Sequence, residues 1–96
     1  MSITSHIETD PAVAVVIPCF RETGHILGVI DGIGDEVRHI FVVDDACPDG
    51  TGEYVRDHST DPRITVVTHE RNTGVGGATL TGYRRAIEAG TDIIVK

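Results

Sequence analysis

Two adjacent carboxylates, Asp44 and Asp45, end the apolar run Phe41-Val42-Val43 and lead at once into the turn formers Pro48, Asp49 and Gly50. Carboxylates so placed can accept from a base imino N–H or from ribose hydroxyls. They can equally coordinate Mg2+, or cap the turn and a helix opening at Gly50 or Thr51. A second constellation, Gly74-Val75-Gly76-Gly77, precedes a helical pattern, so that backbone N–H groups and the helix dipole can approach a phosphate. It has Thr79 where a dinucleotide fingerprint has its third glycine, and it lacks the lysine of a Walker loop. Close helix–sheet packing with an entry turn accounts for the same glycines. Arg71, beside this loop, is the better phosphate signal, because a guanidinium pairs with phosphate oxygens in bidentate fashion. The histidines are scattered without metal-ligand spacing. His25, His39 and His58 read as surface residues, and His69 as structural.

The elements that must hold these residues alternate regularly. Residues 12–18 form a first buried strand, stopped by Pro18. A weak helix follows Glu22-Thr23-Gly24, with Ile26, Leu27, Ile30 and Ile33 at spacings of three and four; Gly28, Gly32 and Gly34 limit its length. Residues 39–43 form a strand without polar alternation, as expected where both faces of a parallel sheet are covered. A short helix runs from Gly50 or Thr51 through Tyr54 and Val55, with Glu53 in its first turn. A third strand covers residues 64–68. The next helix carries Leu80, Tyr83, Ala86 and Ile87 on one face, with Gly90 as its C-terminal cap. Ile93-Ile94-Val95 forms a fourth strand.

Alternation of this kind predicts right-handed βαβ units and an α/β, Rossmann-like parallel sheet with interleaved helices. Residues 18–22, 44–51 and 69–77 then share the C-terminal edge of the sheet, where open α/β sheets bind ligands. Residues 1–11 read as a loose tail, and residues 12–96 as a single unit. A buried strand that ends with nothing to cover it predicts a domain that continues past Lys96.

The formal net charge of −7 disfavours nucleic acid, which requires a clustered basic surface, and a direct electrostatic hold on anionic lipid. No apolar run is long enough to cross a bilayer and no signal peptide is visible, which favours the cytosol. Cys19 and Cys47 are too few for a disulfide framework. Two free thiols are expected, although both follow strands expected to be neighbours and a bridge between them is conceivable.

Three segments in order, Val16-Ile17-Pro18-Cys19-Phe20-Arg21-Glu22, Val42-Val43-Asp44-Asp45-Ala46-Cys47-Pro48-Asp49-Gly50-Thr51 and Arg71-Asn72-Thr73-Gly74-Val75-Gly76-Gly77-Ala78, closely resemble the start of family 2 glycosyltransferases. The resemblance covers residues 12–96 and is nearest to the polyprenyl- or dolichyl-phosphate sugar transferases. It implies the N-terminal, nucleotide-binding half of a GT-A fold. By resemblance, Pro18, Phe20 and Glu22 line a nucleoside pocket, Asp44 bonds the base and Asp45 sits near the ribose. Arg71 and the loop through Gly74 and Gly76 flank the base or diphosphate. Phe20 stands where the family often has Tyr, Arg21 replaces a common Asn, and Cys47 replaces a usual Ser. The donor implied is a UDP- or GDP-linked sugar, and the acceptor a group such as a lipid phosphate, at the cytoplasmic face of a membrane in the full-length protein.

The final Ala89-Gly90-Thr91-Asp92-Ile93-Ile94-Val95-Lys96 resembles the strand that leads into the family's Asp-x-Asp motif. The ligands of a Mg2+ or Mn2+ cofactor, and the catalytic base, are therefore expected beyond Lys96, and the 96 residues alone are expected to be inactive. Two rivals remain: a non-catalytic nucleotide-binding module, and an enzyme using the glycine loop with a dinucleotide.

Overall fold

The computed structural model describes residues 11–96. The loose tail expected over residues 1–11 therefore lies, Pro11 apart, outside the described residues. The chain alternates β1 (Val13–Cys19), α1 (Ile26–Asp31), β2 (Val37–Asp44), α2 (Thr51–His58), β3 (Ile64–Thr68), α3 (Gly74–Glu88) and β4 (Ile93–Val95). Every strand pairing is parallel and the sheet order is β3-β2-β1-β4. This is the Rossmann-like α/β sheet that the alternation predicts.

The order has a physical cause. The connections through α1 and α2 carry the chain outward from β1 to β3, and the connection through α3 returns it across the sheet to the far side of β1. With one hand for every crossover, a reversal of direction places the returning helix on the opposite face. The core divides accordingly. Ile26 and Ile30 of α1 and Val55 of α2 pack with Cys19, Val37, Ile40 and Val42. Ala86 of α3 packs with Ala14, Val16 and Phe41 on the other face. Successive β2 side chains thus serve opposite layers, and all from Ile40 to Asp44 are buried. Each fully buried Val or Ile contributes about 1.5–3 kcal/mol.

Two expectations are corrected. β1 does not stop at Pro18 but continues to Cys19, with Pro18 opposite Val43. β4 pairs only with Val13, Ala14 and Val15, so further along β1 one side is an open edge, where a residue without an N–H is tolerated. The face of α3 that enters the core also differs. Ala78, Gly82 and Ala86 are buried, whereas Leu80 and Ile87 are exposed; of the expected stripe, Ala86 and the half-buried Tyr83 face inward. A Cβ on Gly82 would overlap the Val16 Cγ1 methyl and stand 3.1 Å from Val16 Cβ. The helix backbone therefore lies directly on β1, and side-chain smallness decides the contact instead of hydrophobicity.

At the opposite end of the sheet from the expected ligand edge, Arg63 fastens three segments. Its guanidinium donates to the carbonyls of Gly34 (2.6 Å), Val37 (3.1 Å) and Ile33 (3.2 Å), and pairs with Asp61 at 2.8 Å. Hydrogen bonds from Arg63 hold the Asp61 carboxyl below its ordinary pKa. The start of β3 is thereby fixed against the turn before β2.

Candidate functional site

Strand order reverses between β1 and β4, and a crevice at the C-terminal edge follows from that reversal. A cleft of about 180 Å³ lies there. Pro18, Cys19 and Phe20 line it from the end of β1, Glu22 from the loop beyond, and Asp45 from the end of β2. Val75 and Ala78 of α3 close the other side. Of the residues singled out from sequence, Pro18, Phe20, Glu22 and Asp45 come together on its wall. Asp44, Arg71, Gly74 and Gly76 do not line it.

The two aspartates divide between the faces of the sheet. Asp44 is 2% exposed. Its Oδ1 accepts the Cys47 N–H at 2.8 Å and its Oδ2 accepts the Gly52 N–H at 2.7 Å. Gly52 makes this approach possible, because a Cβ there would come within 3.0 Å of the Asp44 carboxylate and of Val66. Of the readings open for Asp44, the capping of turn and helix is the one this geometry fills.

Asp45 points the other way. Its N–H donates to the Cys19 carbonyl at 3.2 Å, which ties the ends of β1 and β2 together. Its Oδ1 accepts the Thr73 N–H at 2.8 Å and the Thr73 hydroxyl at 2.9 Å, and lies 2.9 Å from His69 Nδ1. Asn72 Nδ2 donates to the Asp45 carbonyl at 3.2 Å. Burial pushes the Asp45 carboxyl up, but the hydrogen bonds from His69 and Thr73 outweigh it and hold the group below the ordinary carboxylate range. Thr73 occupies the N-cap position of α3, yet its hydroxyl serves Asp45 and does not cap the helix. Gly77 leaves the room for that rotamer, since a Cβ there would overlap Thr73 Oγ1.

His69, which reads as structural from sequence, is the neighbour that holds Asp45 in place. Besides Asp45, it meets the Thr81 hydroxyl, which lies 2.8 Å from Nε2. The signal available in sequence was the spacing of four along Thr73, Gly77 and Thr81, which puts two hydroxyls on one stripe of a helix.

The loop between β1 and α1 is held against the one after β2. The Glu22 N–H donates to the buried Thr51 hydroxyl at 3.1 Å, leaving the Glu22 carboxylate half-exposed near His25. The Arg21 N–H donates to Cys47 Sγ at 2.8 Å, and the Cys47 thiol in turn reaches Asp49. Arg21 (φ 59°) and Ala46 (φ 58°) both adopt the left-handed region, a conformation costing a residue with a Cβ about 1–2 kcal/mol. The Arg21 guanidinium lies 5.4 Å from the Phe20 ring centroid. Both cysteines are free. Burial and then the Asp44 charge push the Cys19 thiol up to about 12.

Arg71 is exposed and forms no ion pair among the described residues. Gly74, at φ 81°, donates its N–H to Asn72 Oδ1 at 3.0 Å. A Cβ on Gly76 would meet open space. The amides of the first turn of α3 have no acceptor within the helix, and apart from the Asn72 side chain at Gly74 none is capped among the described residues, Thr73 at the N-cap making no side-chain bond to the helix. Among the described residues no three His, Cys, Asp or Glu side chains gather as a metal site.

Comparison with known proteins places this edge in a family. The chain is similar to an undecaprenyl-phosphate mannosyltransferase of Micrococcus luteus, 33% identical over 87 residues, covering 88% of this chain and 36% of that protein. It is similar to a UDP-N-acetylglucosamine–dolichyl-phosphate N-acetylglucosaminyltransferase of Methanococcus voltae, 29% identical, with 90% of this chain and 40% of that protein covered. A polyprenol monophosphomannose synthase of Mycolicibacterium smegmatis is 33% identical, with 85% and 32% covered. The chain thus spans between 32% and 40% of the length of these relatives. The sequence profile of Glycosyl transferase family 2 matches residues 14–94, from the second residue of β1 into β4, and the chain belongs to that family.

Proposed function

We propose that this chain forms the nucleotide-binding part of an enzyme that transfers a sugar from a UDP- or GDP-linked donor to an acceptor such as a polyprenyl phosphate. The observation that carries the reading is the cleft at the strand reversal, which joins the Phe20 ring, the Glu22 carboxylate and the ionised Asp45 beside the open first turn of α3. The ring offers an apolar face to a base, the carboxylates accept from imino N–H or hydroxyl groups, and the amides with Arg71 suit a diphosphate. The activities for which the relatives are named, mannosyl or N-acetylglucosaminyl transfer involving polyprenyl or dolichyl phosphate, support the acceptor class. In transfer, an acceptor oxygen would bond to the anomeric carbon as the bond from that carbon to the nucleoside diphosphate breaks.

The described residues do not fit a divalent cation: Asp44 is committed to two amides, and no acidic group of three assembles. We assign the ligands of a Mg2+ or Mn2+ cofactor to residues beyond Lys96. A polyprenyl-phosphate acceptor would bring the complete enzyme to the cytoplasmic face of a membrane. No helix among the described residues is long and apolar enough to cross one.

Calorimetric titration with UDP, GDP and NAD tests the reading. Binding of UDP or GDP, with NAD inert, is the expected result, and it should weaken in Glu22→Ala. Failure to bind either nucleoside diphosphate would overturn the proposal.

A further inference from the structure

Asp45 is almost fully buried, and the hydrogen bonds its carboxylate accepts among the described residues fall on one of its two oxygens. Oδ1 takes the Thr73 amide, the Thr73 hydroxyl and His69 Nδ1, whereas among the described residues no donor makes a hydrogen bond to Oδ2, and the residue lines the cleft; the nearby Gly74 amide also helps to hold the carboxyl down. An ionised carboxylate can only accept, so the proton of the His69–Asp45 contact sits on Nδ1. In the neutral ring, Nε2 is then the acceptor of the Thr81 hydroxyl at 2.8 Å. The ring is held from both sides, by the end of β2 and by α3, with its side chain 16% exposed.

We propose that His69 is a positioning residue for the ligand-facing carboxylate of this cleft. Braced by Thr81, it ties down Asp45 Oδ1 and fixes the carboxylate plane so that Oδ2 is presented to a hydroxyl or imino N–H of the bound nucleoside diphosphate. The ligand rests on the proposed function above; the hydrogen-bond device does not. Thr73 alone would leave the carboxylate anchored by one residue at the start of a helix. The ring adds a second anchor from the end of β3, across the cleft wall.

Two variants separate positioning from mere packing. Asn places an amide N–H one bond from Cγ, as Nδ1 is in His, whereas Leu fills similar volume with no donor. His69→Asn leaves Thr81 free to bond back to its own helix. In the chain as described, long-range 1H–15N spectra at a pH where the ring is neutral should show His69 as the Nδ1–H tautomer; the Nε2–H tautomer would overturn the proposal. The 13C titration of the Asp45 carboxyl should move upward in His69→Leu and stay near wild type in His69→Asn. Titrations that move equally in both variants, or in neither, would also overturn it. UDP or GDP affinity should fall about tenfold in the folded His69→Leu and less than about threefold in His69→Asn, an order-of-magnitude difference being that of one charged hydrogen bond. Unchanged affinity in Leu with the fold intact counts against positioning. If wild type binds neither nucleotide, the proposed function falls while the tautomer and the carboxyl titration still decide the role of His69.

Discussion

Gly82 of α3 rests against Val16 of β1 with no space for a side chain between them. The contact joins the returning helix to a fully buried strand residue whose β-branched side chain has few rotamers to retreat into. Gly82→Ala should lower stability by about 1–3 kcal/mol, the range for overpacking a core. Gly76→Ala, in the same helix but facing open space, should raise it by about 0.5–1 kcal/mol through helix propensity. Urea denaturation of the two variants reads both signs, and a Gly82→Ala protein as stable as wild type would mean that α3 does not lie on β1 as described.

Acid should act on Asp45 in a defined direction. Its carboxyl lies below the ordinary value in the folded state, so its contribution is complete above about pH 4, the range of an unperturbed Asp. The contribution is lost as pH falls through the depressed value. The stability difference between wild type and Asp45→Asn should therefore be largest near neutrality and shrink steadily below about pH 4. Denaturant unfolding at several pH values measures it, and a difference that grows on acidification would reverse the assignment.

The two thiols should differ in reactivity. Cys19 is buried and ionises only near 12, whereas Cys47 is half-buried in a loop. A maleimide at pH 8 should label Cys47 in the native protein and leave Cys19 intact, with both labelled after denaturation. Peptide mass spectrometry distinguishes the sites.

Arg63 should be irreplaceable by lysine. The three carbonyls of Ile33, Gly34 and Val37 are met by a rigid fork, which a single ammonium does not reproduce. Arg63→Lys should lower the melting temperature almost as far as Arg63→Ala. UDP or GDP affinity should stay unchanged in both, since this anchor is at the far end of the sheet.

What could be read from sequence follows from how local each cause is. β2 was legible because its apolar run and the turn formers after it are contiguous. The cleft residues Pro18, Phe20, Glu22 and Asp45 were legible because strand ends in a parallel sheet converge on one edge. The inward face of α3 was not, because Leu80 and Ile87 carry the apolar signal while Gly82 carries the contact. Smallness matters only against a particular neighbour, here Val16, 66 positions away in the chain. The same holds for His69: its partner Asp45 is 24 residues distant, and the Thr73–Gly77–Thr81 spacing beside it marks a stripe of hydroxyls without announcing the bond to Asp45. The course of β1 through Pro18 depended on how far β4 reaches, a matter of pairing and not of composition.

The opposed directions of Asp44 and Asp45 have a consequence for how such a dipeptide works. Adjacent on the chain, the two side chains share no partner: one answers to Cys47 and Gly52, the other to His69 and Thr73. What reads as one acidic motif is two separable devices back to back, one a clasp for the loop, the other a surface turned to the cleft. Losses at the two positions should then sum, without the coupling expected of a true pair.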